Sequence, residues 1–293
     1  MAISFGSIKV LSRKVKMLDS CAADSRSCEI EATEHNSICT MSKLCSGLFI
    51  ALLLCAMPVV AEDTAETPTA DQLLKRFDQM YESTGTAARL EIGVTRPNKT
   101  RTMRMRTWSE GEDKALIIID APARDAGTAT LKVGRNLWNY LPKISRTIRV
   151  PPALMMGSWM GSDLTNDDLV RESSYAEDYS AILQGESEDP PGWLVEIKAK
   201  PGVPGLWERV ELVFSRAEQL PVVGRYYDRK GRLGRTMRME GIKKIGDRFV
   251  ATRIIIEPER EEGKRTVLTY LHVEFDVELD ERLFSLQQLE RKR

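Results

Sequence analysis

From Ala88 to Phe275 the chain repeats one pattern: a short stretch of alternating apolar and polar residues, then a turn signal. A period of two turns one face of a strand to a core and the other to water. Ala88, Leu90, Ile92 and Val94 alternate up to the turn Pro97-Asn98-Lys99. Met103 and Met105 alternate with Arg104 and Arg106 up to Trp108, ahead of a turn at Gly111 to Asp113. Ala115 to Ile119 is instead a β-rich apolar run that stops before Pro122, Thr128 to Val133 and Leu137 to Leu141 pair across Gly134-Arg135-Asn136, and Ile144 to Val150 is a further strand closed by Pro151-Pro152. A second series holds Tyr179 to Gly185, Trp193 to Lys200, Trp207 to Phe214, Val222 to Tyr227, Arg235 to Glu240, Phe249 to Glu257 and Thr266 to Phe275. Short loops join antiparallel neighbours, so the pattern predicts one meander of about a dozen strands. A sheet that long must curl.

Two segments break the alternation. Thr69-Ala70-Asp71-Gln72 is a capping box, and Leu73, Leu74, Phe77, Met80 and Tyr81 follow at helical spacing. Between about Pro151 and Tyr175 the strand pattern fails, and Thr165 to Leu169 reads as one capped helical turn. The expected fold is mainly β with some α. A curved antiparallel sheet forms an unclosed β-barrel, covered by short helices.

The amino-terminal part does not belong to this pattern. All five cysteines lie within the first 55 residues, and so does the long apolar run Leu44 to Ala61. Met41-Ser42-Lys43, the apolar run and Pro58-Val59-Val60-Ala61 read as a signal peptide over residues 41–61, cut ahead of Glu62. As a permanent anchor the run is only marginally long, and it carries Pro58. As a lipoprotein site Cys55 lacks a small residue before it. Residues 1–40 read as a non-conforming extension, an over-extended translation start. Residues 62–293 then form the exported domain. It has no cysteine, which suits the periplasm of a Gram-negative bacterium.

The formal net charge of zero gives no pull towards nucleic acid. Past residue 61 the only histidine is His272, in an alternating strand, where a surface position is the simplest reading. Without a thiol, a histidine pair or a nucleophile elbow, no catalytic residue is assigned and no enzyme is expected. No cofactor or metal is expected either. Asp163, Asp167 and Asp168 are the best acidic candidates, and they read as turn and helix-start residues. Arg101, Arg104 and Arg106 read as a solvated face, with a patch for an acidic partner or lipid headgroups as the sharper reading. What is over-supplied is pliable apolar surface. Met103, Met105, Trp108, Trp138, Tyr140, Met155, Met156, Trp159 and Met160 are assigned to the lining or cover of a hydrophobic cavity.

The segment LWNYLPKISRTIRVPPALMMGSWMGSDLTNDDL, with the signal peptide and the capped helix, resembles the outer-membrane lipoprotein-sorting protein family. The specific matches are Trp138-x-Tyr140-x-Pro142 and Met160-Gly161-Ser162-Asp163, followed by Asp168-Leu169. That family is related in fold to the lipoprotein carrier LolA. The resemblance implies a LolA-like open barrel that holds acyl chains of lipoproteins or another lipid, and carries them towards the outer membrane. It also implies an inner-membrane ABC-type or RND-type transporter as the loading partner. The other reading is a non-enzymatic accessory or sensor subunit of such an exporter, without lipid cargo. The lid arginine of LolA has no assigned counterpart here.

Overall fold

The computed structural model describes residues 67–170, 175–203 and 205–290. The expected extension 1–40 and signal peptide 41–61 lie outside the described residues. Among the described residues no helix is long and apolar enough to cross a membrane.

Helix α1 (Ala70–Gln79) starts with the predicted capping box: Thr69 Oγ1 accepts from Gln72 N at 3.2 Å, and Gln72 Oε1 accepts from Thr69 N at 2.8 Å. Six strands follow: β1 (Gly85–Arg96), β2 (Lys99–Glu110), β3 (Lys114–Ala121), β4 (Ala129–Val133), β5 (Asn136–Leu141) and β6 (Arg146–Arg149). Then come a 3-10 turn (Pro152–Leu154) and the short helices α2 (Asn166–Val170) and α3 (Tyr175–Asp178). The second series is β7 (Tyr179–Glu188), β8 (Pro191–Ala199), β9 (Trp207–Phe214), β10 (Pro221–Asp228), β11 (Leu233–Ile245), β12 (Arg248–Pro258) and β13 (Arg265–Phe275). A 3-10 turn (Glu281–Phe284) and α4 (Leu286–Leu289) end the described chain.

All thirteen strands join one sheet in the order β6-β5-β4-β3-β2-β1-β13-β12-β11-β10-β9-β8-β7. Every pair is antiparallel, and β6 and β7 are left as open edges. The sheet is therefore two meanders rather than the single one expected from the sequence. One runs outward from β1 to β6, the other inward from β7 to β13, and the β1–β13 ladder joins them, with Thr86 opposite Phe275 and Val94 opposite Thr266. Loop length cannot reveal this, because the joining ladder connects the two ends of the strand series.

The topology explains the break at Pro151. The chain leaves the sheet at one edge and must re-enter at the other. Thirteen strands laid flat would span roughly 58 Å at about 4.8 Å per spacing. The crossover between β6 and β7 has to pass over a face of the curled sheet. It passes over the face that α1 covers, here called the inner face. Leu73, Leu74, Phe77 and Met80 of α1 share one apolar cluster with Trp159, Leu164, Leu169 and Tyr175 of the crossover. Phe77 stacks on Tyr175 at 5.0 Å between ring centroids, and Asp78 accepts hydrogen bonds from Tyr175 N and Ala176 N.

Candidate functional site

The inner face is built by strand parity. Register places Met103, Ile92, Leu268, Ile254 and Met239 in one row across β2, β1, β13, β12 and β11, all at most 3% exposed. The next row is Arg101, Val94, Thr266, Ile256 and Met237. Methionines from β2 and β11 thus flank a β-branched and leucine centre, and their unbranched side chains adapt to irregular neighbours. Towards the other end of β1 and β2 the inner face turns polar. Thr86 lies opposite Ser109 and Ala88 opposite Thr107. The hydroxyls of Thr86, Thr107 and Ser109 are buried without a hydrogen-bond partner. A buried unpaired hydroxyl costs roughly 1–3 kcal/mol, so this end of the face is held at a disadvantage.

The crossover lies over this face as a self-bonded loop. Trp159 N donates to Leu164 O at 2.7 Å, Asn166 N to Gly157 O at 3.0 Å and Asp167 N to Met155 O at 2.8 Å. At its tip Ser162 N donates to Trp159 O at 2.9 Å across Met160 and Gly161, whose φ values are +50° and +72°. Two successive left-handed residues make a type I′ turn. Glycine suits that conformation, and Met160 adopts it at a cost. Ser162, buried, donates from its hydroxyl to Trp159 O and accepts from Leu164 N, which fixes the tip.

Three anchors fasten the loop to the sheet. Trp159, 2% exposed, donates from Nε1 to Thr130 Oγ1 at 3.2 Å. Asp163 accepts from the Thr266 hydroxyl at 2.7 Å, donates its own backbone N–H back to that oxygen at 2.9 Å, and pairs with Arg96 at 3.1 Å. Arg96 also donates to Gly161 O at 2.6 Å. Asp168 pairs with Arg235 through bonds of 2.8 and 2.9 Å, with side chains only 7% and 4% exposed. Asp168 also caps α2 reciprocally: its carboxylate accepts from Thr165 N, and its own N–H donates to Thr165 Oγ1.

Arg235 sits between Trp207 and Tyr226, 4.9 and 4.8 Å from their ring centroids. The backbone beside it is Gly234, where a Cβ would come within 2.5 Å of the Trp207 ring. Burial pushes the Asp168 carboxyl up, but the Arg235 guanidinium and its hydrogen bonds outweigh this and hold it well below the usual carboxylate range. Burial pushes the Tyr226 hydroxyl up to about 12. The pair is therefore ionised at neutral pH, shielded from water and stacked between rings.

The nine residues assigned to one cavity do not line one space. Met103, Met105 and Trp159 are buried in the inner-face cluster, and Met155 and Met160 pack against it half-buried. Trp108, Trp138 and Tyr140 lie on the opposite face, where Leu131 pairs with Trp138 and Ala129 with Tyr140. They pack with Leu116, Ile118, Phe284 and Leu289 under the carboxy-terminal turn and α4. Alternation separates the two faces of a strand but does not say which is inner, and an aromatic pair fits either. Met156 is 42% exposed and faces away from the core. Pro142 ends β5 and accepts from Ser145 N at 3.2 Å in the β5–β6 turn.

The arginine series also divides by parity. Arg104 and Arg106 are exposed and bridge to Glu91 and Asp120 at 3.1 and 2.8 Å. Arg101 shares the phase of Met103 and Met105, points inward and meets Asp125 at 3.6 Å. Sequence reasoning missed Arg96, Arg235 and Thr266. The signal available was phase: Arg96 follows Leu90, Ile92 and Val94, and Arg235 precedes Met237 and Met239, each on the buried face of its strand. His272 is half-exposed beside Glu274 at 2.7 Å. Among the described residues no group of three or more His, Cys, Asp or Glu is placed to hold a metal ion.

A family model for an uncharacterized protein matches residues 111–291, more than half of the chain. No curated protein matches it. Among solved structures, a DUF1329 family protein from Desulfovibrio piger is 28% identical with a TM-score of 0.68, over 75% of this chain and 97% of that one. A domain named for outer-membrane lipoprotein sorting, from Vibrio parahaemolyticus, is 23% identical with a TM-score of 0.66, over 76% and 98%. A LolA superfamily protein from Nitrosomonas europaea is 23% identical with a TM-score of 0.63, over 76% and 100%. The open thirteen-stranded sheet is thus the LolA-like fold.

Proposed function

Since the chain belongs to the family whose model spans residues 111–291 and has the LolA-like fold, we propose that it is a carrier for acyl chains of lipoproteins or of another lipid. One observation carries this reading: a methionine-flanked apolar face under a crossover fastened by polar clasps. The clasps at Asp163 and Asp168 hold the crossover down without filling the apolar face themselves. Opening them gives an acyl chain access to the rows between Met103 and Met239. The unpaired hydroxyls of Thr86, Thr107 and Ser109 supply a polar end for the head of an amphiphile.

The energetics need no chemical step. Burying an acyl chain gains about 0.8 kcal/mol per methylene, so a chain of ~14 methylenes gains about 11 kcal/mol relative to water. Relative to a bilayer the transfer is nearly neutral, which suits a protein that must both load and unload. In this reading residues 41–61 direct export, residues 62–293 work in the periplasm, and an ABC-type or RND-type transporter loads the carrier. The protein acts by binding and not by catalysis.

A fluorescent fatty-acid analogue tests the proposal. Its emission should rise on mixing with the protein and fall when phospholipid is added in competition. A flat emission across the titration contradicts the carrier reading.

A further inference from the structure

The crossover leaves the sheet through its most unusual surface. From Ala126 to Ser162 the chain has no aspartate or glutamate, yet it carries Lys132, Arg135, Lys143, Arg146 and Arg149. Lys132 is buried; the other four are exposed. Four exposed arginines elsewhere on the sheet face a carboxylate on the neighbouring strand. Arg104 meets Glu91, Arg106 meets Asp120, Arg238 meets Glu257 and Arg253 meets Glu240, at 2.8 to 3.5 Å. On β6 the ladder offers only Trp138, Asn139, Tyr140 and Leu141 as neighbours, and the Glu290 carboxylate beside the strand accepts from the Thr147 hydroxyl at 2.7 Å rather than pairing with an arginine. Arg149 donates to Asn136 Oδ1, and among the described residues Lys143 and Arg146 have no ion pair.

The same stretch is greasy. Of the eight large hydrophobic residues exposed among the described residues, four lie within thirteen residues here: Ile144 at 57%, Ile148 at 46%, Leu154 at 58% and Met156 at 42%. Charge alone would suffice to keep an open edge from pairing with another strand. It does not explain large apolar side chains presented beside it. The other edge, β7, shows the contrast: it exposes Ser180, Gln184, Glu186 and Glu188 with the single large apolar residue Ile182.

We propose that the β5–β6 turn, the β6 edge and the turn after it, residues 143–156, dock the protein on membrane surfaces rich in anionic phospholipid. Lys143, Arg146 and Arg149 meet the phosphates, and Ile144, Ile148, Leu154 and Met156 enter the headgroup boundary. The docking does not depend on cargo. It does place the start of the crossover, and so the opening of the inner face, against the bilayer.

Hydrogen exchange on the full chain tests this, because it reads these residues separately from the apolar amino-terminal run. As an edge strand, β6 has backbone amides without a ladder partner, so its exchange is fast and its protection visible. Vesicles of phosphatidylglycerol and phosphatidylethanolamine should slow exchange across residues 143–157, and vesicles of phosphatidylcholine alone should not. Neutralising the charges, as K143Q/R146Q/R149Q, should raise the lipid needed about 100-fold, and K143E/R146E/R149E should abolish the protection. The proposal is overturned if anionic vesicles leave these residues unprotected, if neutral vesicles protect them equally, or if protection survives charge reversal. It is also overturned if only vesicles containing membrane proteins protect them, since the partner is then a protein.

Discussion

Asp168 and Arg235 are 67 residues apart in sequence and form two hydrogen bonds in the structure, tying the crossover to β11 out of contact with water. Removing one partner leaves an uncompensated buried charge, which typically costs about 3–5 kcal/mol. Asp168→Leu or Arg235→Leu alone should therefore lower stability by about that amount. The double variant should recover most of it. Urea denaturation of the three variants checks this, and additive losses in the double variant would contradict a paired clasp.

The same pair sets a pH dependence. The Asp168 carboxyl is depressed in the folded protein, so its contribution is fully present above the unfolded carboxylate value near 4. It is lost as pH falls below that value, through the lower folded one. The stability gap between wild type and Asp168→Asn should be constant from neutral pH down to about 4 and shrink only in stronger acid. Thermal melts over that range check it. A gap that closes between pH 7 and 5 would mean the carboxylate is not held by Arg235.

Thr107 carries a buried hydroxyl without a partner. Thr107→Val keeps the shape and removes the unpaired group, so the lipid-free protein should gain about 1 kcal/mol. Chemical denaturation after delipidation measures this. A loss of stability would show that the hydroxyl is satisfied in solution.

The two faces of the sheet should respond differently. Trp138 packs with Leu131 and Leu289 on the face away from the crossover. Trp138→Ala should cost about 2–4 kcal/mol and leave fatty-acid probe affinity unchanged. Met239→Ala, on the inner face, should change probe affinity. Parallel melts and titrations check both, and equal effects on affinity would mean that the faces are not separate.

The strands were legible because most carry their own alternation, the doubly buried β3 reads as a short β-rich run, and turn signals separate them. The crossover was legible as a failure of that pattern between Pro151 and Tyr175. What covers what was harder to read. Trp138 and Tyr140 have the same apolar character as Leu137, and only the carboxy-terminal turn packed on them shows that they face outward. Leu279 to Leu289 carried no mark of that role. The clasps were half visible: Asp163 and Asp168 stood out in a turn, while their partners Arg96, Thr266 and Arg235 lie in strands far along the chain. Phase marks those residues as inward, but only the fold pairs them.

The carrier account is tested most directly by mass spectrometry of organic extracts from the protein purified from the periplasm without detergent. The account predicts a lipid or acylated species in roughly stoichiometric amount, released when the protein is denatured. A folded protein that yields no lipid, and takes up none when offered vesicles, would contradict it.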